Sequence, residues 1–151
     1  MEQPVLVLYR VGAILHRSGL VRTAKLLAWI NRIIFCAWVP GAASIGRRVR
    51  LGYLGLGVVI HSRAVIGDDV VIAQNVTIGR KAGVWGVPVI KRGVYIGSGA
   101  CVLGDITIGE DAVVGANAVV LLSVPPRAVV AGVPARIIRV KGPELGSSDV
   151  E

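Results

Sequence analysis

Large aromatic side chains are scarce in these 151 residues: one Phe, three Trp and three Tyr, with a single Met. That excludes a core packed on big rings. With 54% hydrophobic residues and 20 glycines, the core must instead be built from small β-branched side chains joined by tight turns. Cysteine occurs twice, at Cys36 and Cys101, which makes no disulfide framework; both are expected as reduced, buried thiols. Histidine also occurs only twice, at His16 and His61, so a three-histidine zinc centre is excluded and no metal is expected. Acidic residues are nearly missing from the first 50 positions, where Glu2 stands alone against eight basic residues; the rest of the chain holds nine basic and eight acidic residues. The net charge of +8 is thus a property of the N-terminal segment. Aromatics interleaved with basic residues are absent too, so no nucleic-acid partner is expected. The long uncharged run Ile33 to Gly46 contains Pro40 and two glycines and is too short to span a bilayer. No signal-peptide pattern is present, and a cytoplasmic chain is expected.

What is present divides into two regions. Residues 1–44 are rich in Leu, Ile, Val and Ala with basic residues at intervals. "VLVLYRVGAILHR" and "LVRTAKLLAWINRIIFCAW" read as two helices meeting at Ser18-Gly19, a stop-and-cap pair. Arg10, Arg17 and Arg32 are expected on one side of this segment. It serves either as a cap with a solvated basic face or as a helix pair resting on anionic lipid. His16, within it, is expected to be structural.

From Ile45 the chain is periodic. Branched apolar residues stand at Ile60, Ile66, Ile72, Ile78, Ile90, Ile96, Val102, Ile108, Val114 and Val120; every gap is six except the doubled one between Ile78 and Ile90. Three positions after these leaders come Asp69, Asn75, Gly93, Gly99, Asp105, Asp111 and Asn117, residue types that accept positive φ at low cost. One position later the residues are apolar and mostly small, from Ala64 to Ala118. Six residues per strand and turn, three such units per coil, is the pattern of an all-β, left-handed parallel β-helix. The expected layout is a helical cap (1–44), a β-helix with its closing segment (45–141) and a tail (142–151).

The site is expected where regularity fails. One interruption is "GYLGLG", between Leu51 and Ile60; the other is "GRKAGVWGVPV", between Ile78 and Ile90, expected as a loop thrown out from the prism. Counting 18 residues per coil from His61 reaches Gly79, Gly97 and Gly115, so His61 is expected to head a glycine column. Such a column is a groove for a long thin ligand. Histidine's ordinary pKa suits the removal of a hydroxyl proton near neutrality, so His61 is the candidate base; the competing reading is a surface turn histidine.

The stretches "AVIGDDVVIAQNVTIG", "VYIGSGACVLGDITIGEDAVVGANAVV" and "SVPPRAVVAGVPARII" resemble the hexapeptide-repeat acyltransferases, in particular the serine acetyltransferases and their exopolysaccharide acetyltransferase relatives. The resemblance implies acetyl-CoA as cosubstrate, lying along Gly79, Arg80, Ser98, Gly99, Ala116 and Asn117, with Arg136, Arg139 or Lys141 near its phosphates. It also implies a homotrimer with active sites between subunits. The Asp-His pair that the serine enzymes carry in the first interruption falls here on Tyr53 and Leu54. Their second Arg-His pair falls on Gly86 and Val87, before Pro88. These departures lead to the expectation of a different acceptor, a sugar hydroxyl of a surface polysaccharide, with Tyr53 and Trp85 offering faces to the ring. Serine O-acetylation is the alternative, and a non-catalytic scaffold is the rival from another class.

Overall fold

The computed structural model describes residues 2–140 and 142; the expected tail falls almost wholly outside them. Helices α1 (Pro4–Arg17) and α2 (Val21–Phe35) are parted by Gly19 at φ 82°, the predicted stop. Beyond them the chain winds as a left-handed parallel β-helix with three sides.

The first side stacks Ser44–Ile45, Val65–Ile66, Val89–Ile90 and Thr107–Ile108. The second stacks Arg50–Leu51, Val71–Ile72, Tyr95–Ile96, Val113–Val114 and Ala128–Ala131. Val59–Ile60, Thr77–Gly79, Cys101–Leu103 and Val119–Val120 form the third. All ten leaders are at most 2% exposed; each branched side chain rests on those one coil above and below. Burial of this size stabilises by about 1.5–3 kcal/mol per side chain, and coil-on-coil contacts sum along the axis. Asp69, Asn75, Asp111 and Asn117 turn the corners with φ between 55° and 60°. Asp105 is the exception in that column, because Gly104 at φ 104° takes the turn instead.

An open end of such a stack exposes apolar side chains and unpaired backbone, and the helices seal one end. Val5, Leu6, Tyr9 and Ala13 belong to the same buried cluster as the prism leaders. The Tyr9 hydroxyl donates to the Ala43 carbonyl (2.8 Å) and accepts from the Ile45 N–H (3.0 Å). The Gln3 side chain bonds both the N–H and the carbonyl of Leu51. Arg10 departs from the expected solvated face: its guanidinium turns into the first coil and donates to the Ile45 and Gly46 carbonyls. The other end closes where Ala128–Ala131 pairs antiparallel with Arg136–Val140. Neither thiol is buried as expected; Cys36 is exposed and Cys101 half-buried. Among the described residues, no helix is long and apolar enough to cross a membrane.

One expectation about the coils fails. Ile60 pairs with Ile78, and Val102 with Val120, at the expected offset of 18. Ile78 pairs with Val102, an offset of 24. The doubled hexad is one coil side plus six looped-out residues, and it shifts every later residue by one side.

Candidate functional site

That shift decides which residues meet. His61 lies at the corner between third and first sides, stacked on Gly79 through its N–H bond to the Ile78 carbonyl (2.8 Å). The residue beneath Gly79 is Leu103, not Gly97. Gly97 and Gly115 lie at the corner between second and third sides, where they follow Ile96 and Val114. The expected single glycine column therefore does not exist. Of the proposed cofactor residues, Gly79 and Arg80 share the His61 corner. Ser98, Gly99, Ala116 and Asn117 share the other corner, joined by the Asn117 N–H on the Ser98 carbonyl (2.8 Å). Arg136 opens the closing strand and is exposed; Lys141 lies outside the described residues.

The two irregular segments also separate. "GYLGLG" bulges at the second–third corner, with Tyr53 and Leu54 in left-handed conformation (φ 48° and 56°). The 80–88 loop stands at the His61 corner. It is held there by the Arg63 guanidinium on the Trp85 carbonyl and by the Arg80 guanidinium 4.8 Å from the Trp85 ring centroid, a cation–π contact. Tyr53 and Trp85 thus cannot clasp one ring within a single chain, and Arg80 already occupies a face of Trp85.

A groove of about 610 Å³ runs between α2 and the third side, floored by Val59, Ile60, Thr77 and Ile78. His61, Ser62 and Gly79 line it from the prism, Lys25 and Trp29 from α2, and His16 from the last turn of α1. Reading by hexads missed His16, because helix packing leaves no mark on the repeat. The only signal was that the chain owns just two histidines.

The His61 ring is oriented by its neighbour: the Arg63 backbone N–H donates to Nδ1 (3.2 Å). A nitrogen that accepts carries no proton, so the neutral ring holds its proton on Nε2. Partial burial, then the charges of Arg63 and Arg80, push its pKa below the ordinary imidazole value. His61 is accordingly a neutral imidazole at neutral pH, presenting an N–H donor.

The closed prism and its hexad columns define a hexapeptide-repeat β-helix protein. A family model for bacterial transferase hexapeptide repeats (six repeats) matches residues 88–121. The serine acetyltransferase of Salmonella typhimurium is 40% identical over 145 residues, covering 95% of this chain and 53% of that protein. The serine acetyltransferase of Mycobacterium tuberculosis is 42% identical over 140 residues, 91% of this chain and 61% of the relative. Among solved structures, the serine acetyltransferase of Vibrio cholerae superposes with a TM-score of 0.87 at 40% identity, covering 93% of this chain and 55% of that one. The Brucella abortus serine acetyltransferase in complex with coenzyme A superposes with a TM-score of 0.87 at 37% identity, over 91% and 55%. The chain is a hexapeptide-repeat protein similar along nearly its whole length to serine acetyltransferases, and it spans about half the length of the curated relatives it matches. These relatives overturn the expectation of a polysaccharide acceptor: proteins similar along nearly the whole chain are named for serine, and the stacking pair that suggested a sugar is split between two corners.

Proposed function

We propose that the protein transfers an acetyl group from acetyl-CoA to the hydroxyl of serine. The observation that carries this is 40% identity over 95% of the chain to proteins named serine acetyltransferase. The acceptor oxygen attacks the thioester carbonyl carbon, the C–O bond forms, and the C–S bond then breaks to release CoA. His61 faces the reacting atoms from the groove. Ser98, Gly99, Ala116 and Asn117 offer a low, backbone-rich corner for the pantetheine arm, and Gly79, Arg80 and Arg136 complete the cosubstrate set. Because one chain splits these residues between two corners, the reading requires a trimer in which one subunit's His61 corner faces its neighbour's Ser98 corner. Tyr53, Leu54, Gly86 and Val87 cannot bind a zwitterion by charge, so serine would be held by other groups than those of its relatives. A cytoplasmic location goes with the use of acetyl-CoA.

Peripheral contact with anionic lipid belongs to the same proposal. It is supported by exposed Ile14, Leu26, Trp29, Ile33 and Ile34 on helices that carry basic residues and no acidic ones.

The test is thiol release from acetyl-CoA with serine and with other hydroxyl acceptors, alongside calorimetry with CoA. Serine-dependent release supports the reading; absence of both turnover and CoA binding overturns it. Sedimentation at assay concentration checks the trimer, and flotation with anionic vesicles checks the lipid contact.

A further inference from the structure

The fold brings both imidazoles of the chain to one groove. His61 reaches it from a prism corner, and His16 from the half-buried end of α1. They are not equivalent there. The Nδ1 of His61 is taken by the Arg63 N–H, so the nitrogen left for a ligand is the protonated Nε2. A general base must direct an unprotonated nitrogen at the hydroxyl, and His61 as held does the opposite. Acyl transfer also needs a donor aimed at the carbonyl oxygen as it gains negative charge, which an Nε2–H in an apolar groove supplies. Lys25 is the other ionisable side chain lining the groove, and a protonated lysine carries no free lone pair.

We propose that the two histidines divide one acyl transfer: His61 donates from Nε2–H to the developing oxyanion, and His16 takes the acceptor's hydroxyl proton. The proposal rests on the acetyl-transfer reading above and adds the roles within it. As the acceptor oxygen bonds to the carbonyl carbon, its proton passes to the free nitrogen of His16. The negative charge on the former carbonyl oxygen is held by His61 and returns to re-form the carbonyl as the C–S bond breaks. The CoA thiolate leaves with the C–S bonding pair and recovers the proton from His16.

The experiment uses the full chain and four variants, His61→Ala, His61→Gln, His16→Ala and His16→Gln, each checked for folding by circular dichroism. A glutamine carboxamide retains an N–H donor but cannot act as a base. His61→Ala is expected to lower kcat by about 10²–10³-fold, and His61→Gln to recover most of that loss and keep the wild-type pH profile. His16→Gln is expected to be as impaired as His16→Ala, by about 10²–10⁴-fold. His61→Gln as inactive as His61→Ala, or His16→Ala with wild-type kcat, overturns the division. A readout independent of turnover is the imidazole tautomer by long-range ¹⁵N–¹H NMR. His61 is expected as the Nε2–H form at neutral pH, and the Nδ1–H form overturns its assignment as donor. A wild-type protein that binds CoA and releases no thiol with any acceptor removes the acetyl-transfer reading and the division with it. An active wild type with the opposite variant pattern removes the division alone.

Discussion

The Arg63 backbone N–H donates to Nδ1 of His61 at 3.2 Å, and the side chain of the same Arg63 ties down the loop that covers this corner through the Trp85 carbonyl. One residue thus sets both the tautomer of the imidazole and the position of the lid beside it. Burial and the two guanidiniums hold His61 below its ordinary pKa. As pH falls, the unfolded chain therefore takes up this proton before the folded one. The stability contributed by the neutral ring is present above about pH 6.5 and is lost as pH drops from there through the lowered folded value. Replacing Arg80 or Arg63 with Ala is expected to raise the His61 midpoint toward the ordinary value, as followed by NMR titration. A midpoint that stays or falls contradicts this account.

The seal between helix and prism is testable at one atom. Tyr9→Phe keeps the ring but removes the hydroxyl that serves both the Ala43 carbonyl and the Ile45 N–H. Two buried backbone groups lose their partner, and urea unfolding is expected to show a loss of about 1–3 kcal/mol without loss of β structure.

Stacked leaders and exposed apolar residues should differ sharply. Ile78, fully buried between Ile60 and Val102, is expected to cost about 2–5 kcal/mol on replacement by Ala. Ile138, exposed on the closing strand, is expected to change stability by no more than about 0.5 kcal/mol. Equal effects would mean that the closing strand is covered in the assembled protein, and sedimentation of the two variants would reveal it.

Charges stack along the first–second corner. Asp69 lies between Arg48 (2.6 Å) and Arg92 (3.2 Å), and its carboxyl is lowered first by the Arg48 hydrogen bond. The contribution of this pair is present above the ordinary carboxylate range and is lost as pH falls through the lowered value. The site is exposed, so Asp69→Asn, which tolerates the same φ of 60°, is expected to lower the melting midpoint slightly and to match wild type in molar salt. Asp69→Ala is expected to remain less stable at any salt concentration, because its Cβ strains the left-handed turn without a compensating side-chain bond.

The looped-out hexad can be removed outright. Deleting residues 81–86 restores the 18-residue coil and leaves the Ile78–Val102 stack intact. Thermal melting is expected to change little, since shortening a surface loop costs little. Acetyl transfer is expected to be lost with the loop that Arg63 and Arg80 hold over His61. A deletion variant with full turnover would show that the loop has no part in the site.

The sequence by itself determined the prism. A side of six residues with one inward position demands a branched apolar leader, a residue tolerant of positive φ at the turn and a small apolar residue after it. Ile60 through Val120 meet those demands without reference to any partner coil. It also marked both interruptions and His61. What it could not determine was the phase across the second interruption. The twelve-residue step from Ile78 to Ile90 preserves the hexad count whether it forms two sides or one side and a loop. Hydrogen bonds between coils alone distinguish the two, and they place Val102, not Ile96, beneath Ile78. The same holds for His16. A helix contributes whichever residue its packing angle turns inward, and only the docking of α1 and α2 on the first coils put the second imidazole in the groove with the first.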